Sequence, residues 1–220
     1  MEQSRTASMT RSEARLTKLL ALGGIAGPIV FVAVVIVAGT LYADYSHVSQ
    51  AISELGGEGS EVAWLQNTNF IVLGLLVLAF ATALARATGG WLPGPALVTV
   101  FGLSSAIANG LLPCDLGCAG STTVGLLHNI TGLTGFVAAI AGMLVLARRW
   151  RHDPRWAGHA RFSRVAAYVA IVGLVAFIAT KATEAEGIDG LAQRVFVLAL
   201  LGWMLVTGIR LREAPTPAAS

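Results

Sequence analysis

The chain has 220 residues, 55% of them hydrophobic and only 12% charged, with a formal net charge of +3. Soluble domains carry about 25% charged residues, so half that value excludes an ordinary water-soluble fold. The positive charge sits in short stretches between long apolar runs; those stretches read as loop anchors facing anionic lipid, which excludes a nucleic-acid partner.

Residues 1–18 form a polar N-terminus expected to be disordered, and the tail 213–220, with Pro215 and Pro217, reads the same way. Between them, residues 19–212 form one domain of six apolar segments. The segments run from Leu19 to Leu41, Val62 to Leu84, Pro95 to Leu112, Val124 to Ala147, Val165 to Thr180 and Leu191 to Ile209. Each approaches or exceeds the roughly 17–25 residues that cross a ~30 Å hydrocarbon core, so the expected fold is an all-α bundle of six transmembrane helices. The first segment is too long for a signal-peptide core, and Leu41-Tyr42-Ala43 is a poor cleavage site, so it is expected to remain as a helix.

Charge sorting orients the bundle. With both termini in the cytoplasm, Arg5, Arg11, Arg15, Lys18, Arg86, the cluster from Arg148 to Arg164, Arg210 and Arg212 all fall inside. Only Lys181 and Arg194 fall outside. The positive-inside rule then predicts a plasma-membrane protein with N-in, C-in topology and membrane lipid as its surroundings. Trp64, Tyr42 and Tyr45 fit an outer aromatic belt, and Trp91 and Trp150 an inner one.

After the first helix, Val48, Ala51, Ile52 and Leu55 recur at i, i+3, i+4 and i+7, which predicts a short amphipathic helix from Ser46 to Leu55 in the first outer loop. Its polar side presents His47, Gln50, Ser53 and Glu54. Farther along, Gly125, His128, Gly132, Gly135, Ala139 and Gly142 share one face of helix four. A stripe of small residues marks a helix-packing surface, so His128 points into the bundle.

Polar residues are costly in a membrane, and here they gather in the outer third: Asn67, Asn69, Asn109, Asp115, His128, Asn129, Gln193 and Arg194. Two readings stay open. His128 and Asn109 either hydrogen-bond across helices as bundle glue, or His128 acts as a general base oriented by Asp115 or Glu54. A metal is not expected, because there is a single outer intramembrane histidine and no H-x-x-x-H pair. Ser53 lacks a nucleophile elbow. Arg194 either snorkels to the headgroups or meets a lipid phosphate or one of Asp115, Glu54 and Glu184, while Lys181 and Glu184 form an ordinary surface pair. Cys114 and Cys118, the only cysteines, can close a small disulfide loop on the oxidising side.

Three segments carry a family resemblance: Tyr45-Ser46-His47-Val48-Ser49-Gln50-Ala51-Ile52-Ser53-Glu54-Leu55-Gly56; Asn109-Gly110-Leu111-Leu112-Pro113-Cys114-Asp115 with His128 beyond; and Gly190-Leu191-Ala192-Gln193-Arg194. In order and position they resemble the signatures of domain-of-unknown-function family 998. The resemblance implies a small prokaryotic multi-spanning membrane protein and no particular reaction. The expected function is therefore an outward-facing polar pocket for a lipid headgroup or small amphiphile, with Arg194, Asn109, Ser53 and Gln193 binding it. The alternatives are a lipid-processing enzyme using His128, Asp115 and Glu54, and a small transporter. No cofactor is expected, and the oligomeric state is open.

Overall fold

The computed structural model describes residues 10–91, 93–183 and 187–213. Those residues form helices α1 (Arg11–Leu20), α2 (Gly23–Leu41) and α3 (Ala63–Thr88), followed by α4 (Pro93–Phe101), a π-helical stretch (Gly102–Ala108) and α5 (Asn109–Leu111), and then α6 (Thr123–Trp150), α7 (Ala157–Thr183) and α8 (Asp189–Glu213). Among the described residues, six helical segments are long and apolar enough to cross a membrane, with α1–α2 and α4–π–α5 each counting as one.

The spans form a ring. α2 packs on α3, α3 on the α4–π segment, α4 on α6, α6 on α7, α7 on α8, and α8 back on α2. The stripe predicted on helix four explains one of these seams. A Cβ at Gly135 would run into Ser105 of the π stretch, one at Gly142 would lie 3.1 Å from the Gly94 carbonyl, and one at Gly132 would lie 3.0 Å from Asn109 Nδ2. Without side chains at these positions, the two backbones approach closely enough for Ser104 and Ser105 to donate to the Thr131 and Gly132 carbonyls.

Three expectations are corrected. Residues 11–18, expected to be disordered, form most of α1. Thr10 caps it, accepting from the Glu13 N–H while the Glu13 carboxylate accepts from the Thr10 N–H, so two orphan amide donors are satisfied reciprocally. Residues 1–9 and 214–220 lie outside the described residues, as does Glu184. The first-loop helix is shorter than its periodicity predicts: a 3-10 helix at Ile52–Gly56, with turns before it. Ala51, Ile52 and Leu55 are buried against the bundle while Val48 is exposed, so the apolar spacing reports burial and not a continuous helix. Trp150 is not in an aromatic belt but buried, stacked on Trp156 with ring centroids 4.8 Å apart.

Candidate functional site

The loop between α2 and α3, the loop between α5 and α6 and the start of α8 meet at one end of the ring. Gln193 and Arg194 hold the first of these loops in place. Gln193 Oε1 accepts from the Ile52 N–H at 2.5 Å, and the Leu191 N–H donates to the Val48 carbonyl at 2.8 Å. The Arg194 guanidinium donates to the Gln50 carbonyl (2.9 Å), the Tyr45 hydroxyl (2.7 Å) and His47 Nδ1 (2.8 Å). It also reaches back to the Gly190 carbonyl of its own helix. Tyr45 in turn donates to the Ala51 carbonyl at 2.9 Å. Among the described residues no carboxylate lies in ion-pair range of Arg194, since the ion pairs are Arg155–Asp153 and Lys181–Asp189.

Because arginine only donates, His47 Nδ1 must be the unprotonated nitrogen of a neutral ring. Burial, then the neighbouring Arg194 charge, lowers the pKa of His47 below the usual histidine value. Burial also pushes the Tyr45 phenol up, against the pull of Arg194.

The residues proposed from sequence for acid–base chemistry are placed separately. Glu54 caps the 3-10 helix of its own loop, accepting from the Ala51 N–H at 2.9 Å, with Gln50 Nε2 at 3.4 Å. Asp115 closes the loop ahead of α6: its oxygens accept from the Gly120 N–H, the Ser121 hydroxyl and the Thr122 N–H, each at 2.9 Å. Donors from the Thr122 and Gly120 backbone hold this carboxyl well below the usual carboxylate range. His128 bonds to neither. Its Nδ1–H donates to the Leu112 carbonyl at 2.6 Å, and Nε2 faces Asn109 Nδ2 at 3.4 Å, while Asn109 Oδ1 accepts from the Thr131 hydroxyl at 2.6 Å. The carbonyl can only accept, so Nδ1 carries a proton. Cys114 and Cys118 form a disulfide in the same loop.

Ser53, Asn109 and Gln193 come together differently, at the polar end of a central cavity. Phe31, Phe70, Phe101 and Phe136 wall it, Ile52 and Ser53 cover it, and Ser105 reaches it one turn deeper than Asn109. It has a volume of about 30 Å³, room for only a few water molecules. Gln193 Nε2 lies 3.5 Å from Ser53 Oγ, long for a hydrogen bond, so both groups keep capacity for a further partner. Toward the opposite end the ring is filled by Val77, Phe80, Leu84, Met143, Leu146 and Met204, all fully buried.

Beside Phe31, on the α3 side, Gln66 and Asn69 form a buried pair that the sequence reading did not join. Asn69 Nδ2 donates to the Phe31 carbonyl at 3.2 Å, leaving Gln66 Nε2 and Asn69 Oδ1 buried without a partner. Their i, i+3 spacing was the available signal. The π stretch had none, because its Gly, Ser and Ala residues suit an α-helix equally well.

The family described as "protein of unknown function (DUF998)" matches residues 25–210 of this chain. No curated protein and no solved structure matches it.

Proposed function

The chain belongs to the DUF998 family, whose function is unknown, and from that premise we propose that it is a cell-membrane binding protein for a small amphiphile. The apolar part of the ligand occupies the phenylalanine-walled cavity, and its polar end meets Ser53, Gln193 and Asn109. The observation that carries this reading is the cavity itself: an aromatic chamber at the centre of the ring, polar at one end and covered by a loop that Gln193 and Arg194 hold. Binding sites of this kind are mostly apolar with a few placed polar groups. Entry of a ligand larger than water requires the Ile52–Ser53 cover to lift and the rings to turn aside.

The charge sorting of the sequence supports placing this polar end outside the cell and both termini in the cytoplasm. Arg194 then has a structural role in closing the cover, and its charge faces the anionic end of a ligand only when the cover opens. Neither Asp115 nor Glu54 is hydrogen-bonded to His128, so binding is favoured over lipid processing.

A ligand that binds the folded state raises its melting temperature. Single-chain amphiphiles, a fatty acid and a lysophospholipid, are expected to raise the Tm of the detergent-purified protein in a saturable way. Val197 also lines the cavity, and Val197→Phe, which fills it, is expected to lose that shift while staying folded. Equal shifts in both proteins would overturn the reading.

A further inference from the structure

The second loop carries a different chemistry. Two sulfurs and a ring nitrogen, from Cys114, Cys118 and His128, lie within 4.8 Å of one another. They come together because α6 presents His128 on its small-residue face, directly under the loop that turns back through Gly117 and Cys118. The turn puts Cys118, a non-glycine, at φ +54°, in the left-handed region that side chains rarely adopt.

We infer that Cys114, Cys118 and His128 form a metal site for a thiophilic ion, Zn²⁺ or Cu⁺, which opens when the disulfide is reduced. Two thiolates and one imidazole are a soft donor set suited to these ions. Tetrahedral zinc places its ligand atoms roughly 3.5–3.8 Å apart, so after reduction the two sulfurs, 2.03 Å apart in the disulfide, separate by roughly 1.7 Å, and the His128 nitrogen, within 4.8 Å of them, closes by at most about 1 Å. The bond from His128 Nδ1–H to the Leu112 carbonyl is the outer-shell contact that orients ligating histidines. Ligation through Nε2 keeps it and displaces only the long Asn109 contact; ligation through Nδ1 exchanges it for the metal. Three protein ligands leave a fourth position open.

An access route exists. A groove of about 380 Å³ at the loop end is lined by Gly57, Asn67, Pro113, Cys114, Asp115 and Thr122 among others, and it leads to Cys114. The exchange balances: a dithiol reductant gives two electrons and two protons to the disulfide, yielding two protein thiols and its own disulfide. The metal then takes both thiolates as two protons leave. The site excludes metal while the disulfide stands, which makes binding a report of redox state. It shares no ligand residue with the central cavity.

The test uses the full chain in detergent, oxidised or reduced with a phosphine that is then removed, and titrated anaerobically with Co²⁺ and afterwards Zn²⁺. The reduced protein is expected to take one Co²⁺ per chain, with thiolate-to-cobalt charge-transfer bands and the strong visible bands of a tetrahedral site, all bleached by Zn²⁺. The oxidised and the alkylated proteins are expected to show none. Cys118→Ser is expected to lose the charge-transfer intensity of one thiolate, and His128→Gln, which removes a ligand outright, to weaken binding by no less than the roughly tenfold that loss of an outer-shell partner costs. Helical circular dichroism is followed throughout. The inference is overturned if reduced protein stays colourless, if reduction unfolds it, or if Cys118→Ser and His128→Gln bind as the unaltered chain does.

Discussion

Replacing Arg194 by Met tests whether one side chain keeps the cavity covered. The substitution retains much of the aliphatic stem and removes three donations to the first loop, those to the Gln50 carbonyl, the Tyr45 hydroxyl and His47 Nδ1. Hydrogen bonds from a charged donor contribute about 1.5–3 kcal/mol each. Arg194 is only half-buried, so the low end applies, and neighbouring bonds do not sum fully. A loss of about 3 kcal/mol in loop-opening free energy follows, or roughly 100-fold in the opening constant. The Ile52 and Leu191 amides report it, because their bonds to Gln193 Oε1 and the Val48 carbonyl cross between the loop and α8. Hydrogen exchange in nanodiscs is expected to speed up about 100-fold at these amides, with the middle of α3 unchanged. Arg194→Lys keeps the charge but lacks the fork that reaches several acceptors, and should recover about half of the effect on a logarithmic scale. A change of less than about threefold in Arg194→Met would refute the latch.

Three further outcomes are expected. His47, with its lowered pKa, binds a proton more weakly in the closed loop than in the open chain. The closure it supports is therefore complete above the unperturbed histidine pKa and weakens as pH falls below it; exchange at Ile52, corrected for intrinsic rate, should rise from pH 7.5 to 5.5 and lose that dependence in His47→Gln. Asp115 follows the same sign at lower pH. Its lowered pKa keeps its full contribution above the usual carboxylate pKa, and the contribution is lost progressively as pH falls from there toward the lowered value, so protection at Gly120 and Thr122 should hold from pH 7 to 5 and drop in Asp115→Asn. Gly135→Ala drives a Cβ into Ser105 and should destabilise by about 1–3 kcal/mol. Gly202→Ala, where a Cβ meets open space, should be neutral or stabilising by up to about 1 kcal/mol; thermal unfolding of the pair decides both.

The six spans were legible because apolar length alone separates a membrane helix from its loops, and the seam on α6 because Gly125, His128, Gly132, Gly135 and Gly142 recur on one face. The polar end of the ring was legible as a region. Its internal pairing was not. Arg194 meets Tyr45 across 149 positions of sequence, and nothing local distinguishes that partner from the carboxylates Asp115 and Glu54. Those carboxylates in turn satisfy nearby backbone amides, a short-range use that competes with any role beside His128. The apolar spacing of Val48 to Leu55 recorded the burial of Ala51, Ile52 and Leu55, but not the exposure of Val48 or that the chain turns before Ile52. Trp150 has the composition of a belt residue, and only the packing of Trp156 against it shows it to be core.

Native mass spectrometry of the protein in mild detergent, with Val197→Phe beside it, tests the central claim most directly. The account predicts a single amphiphile retained by the unaltered chain and absent from the folded variant. Two bare, folded species, or the same adduct on both, would contradict it.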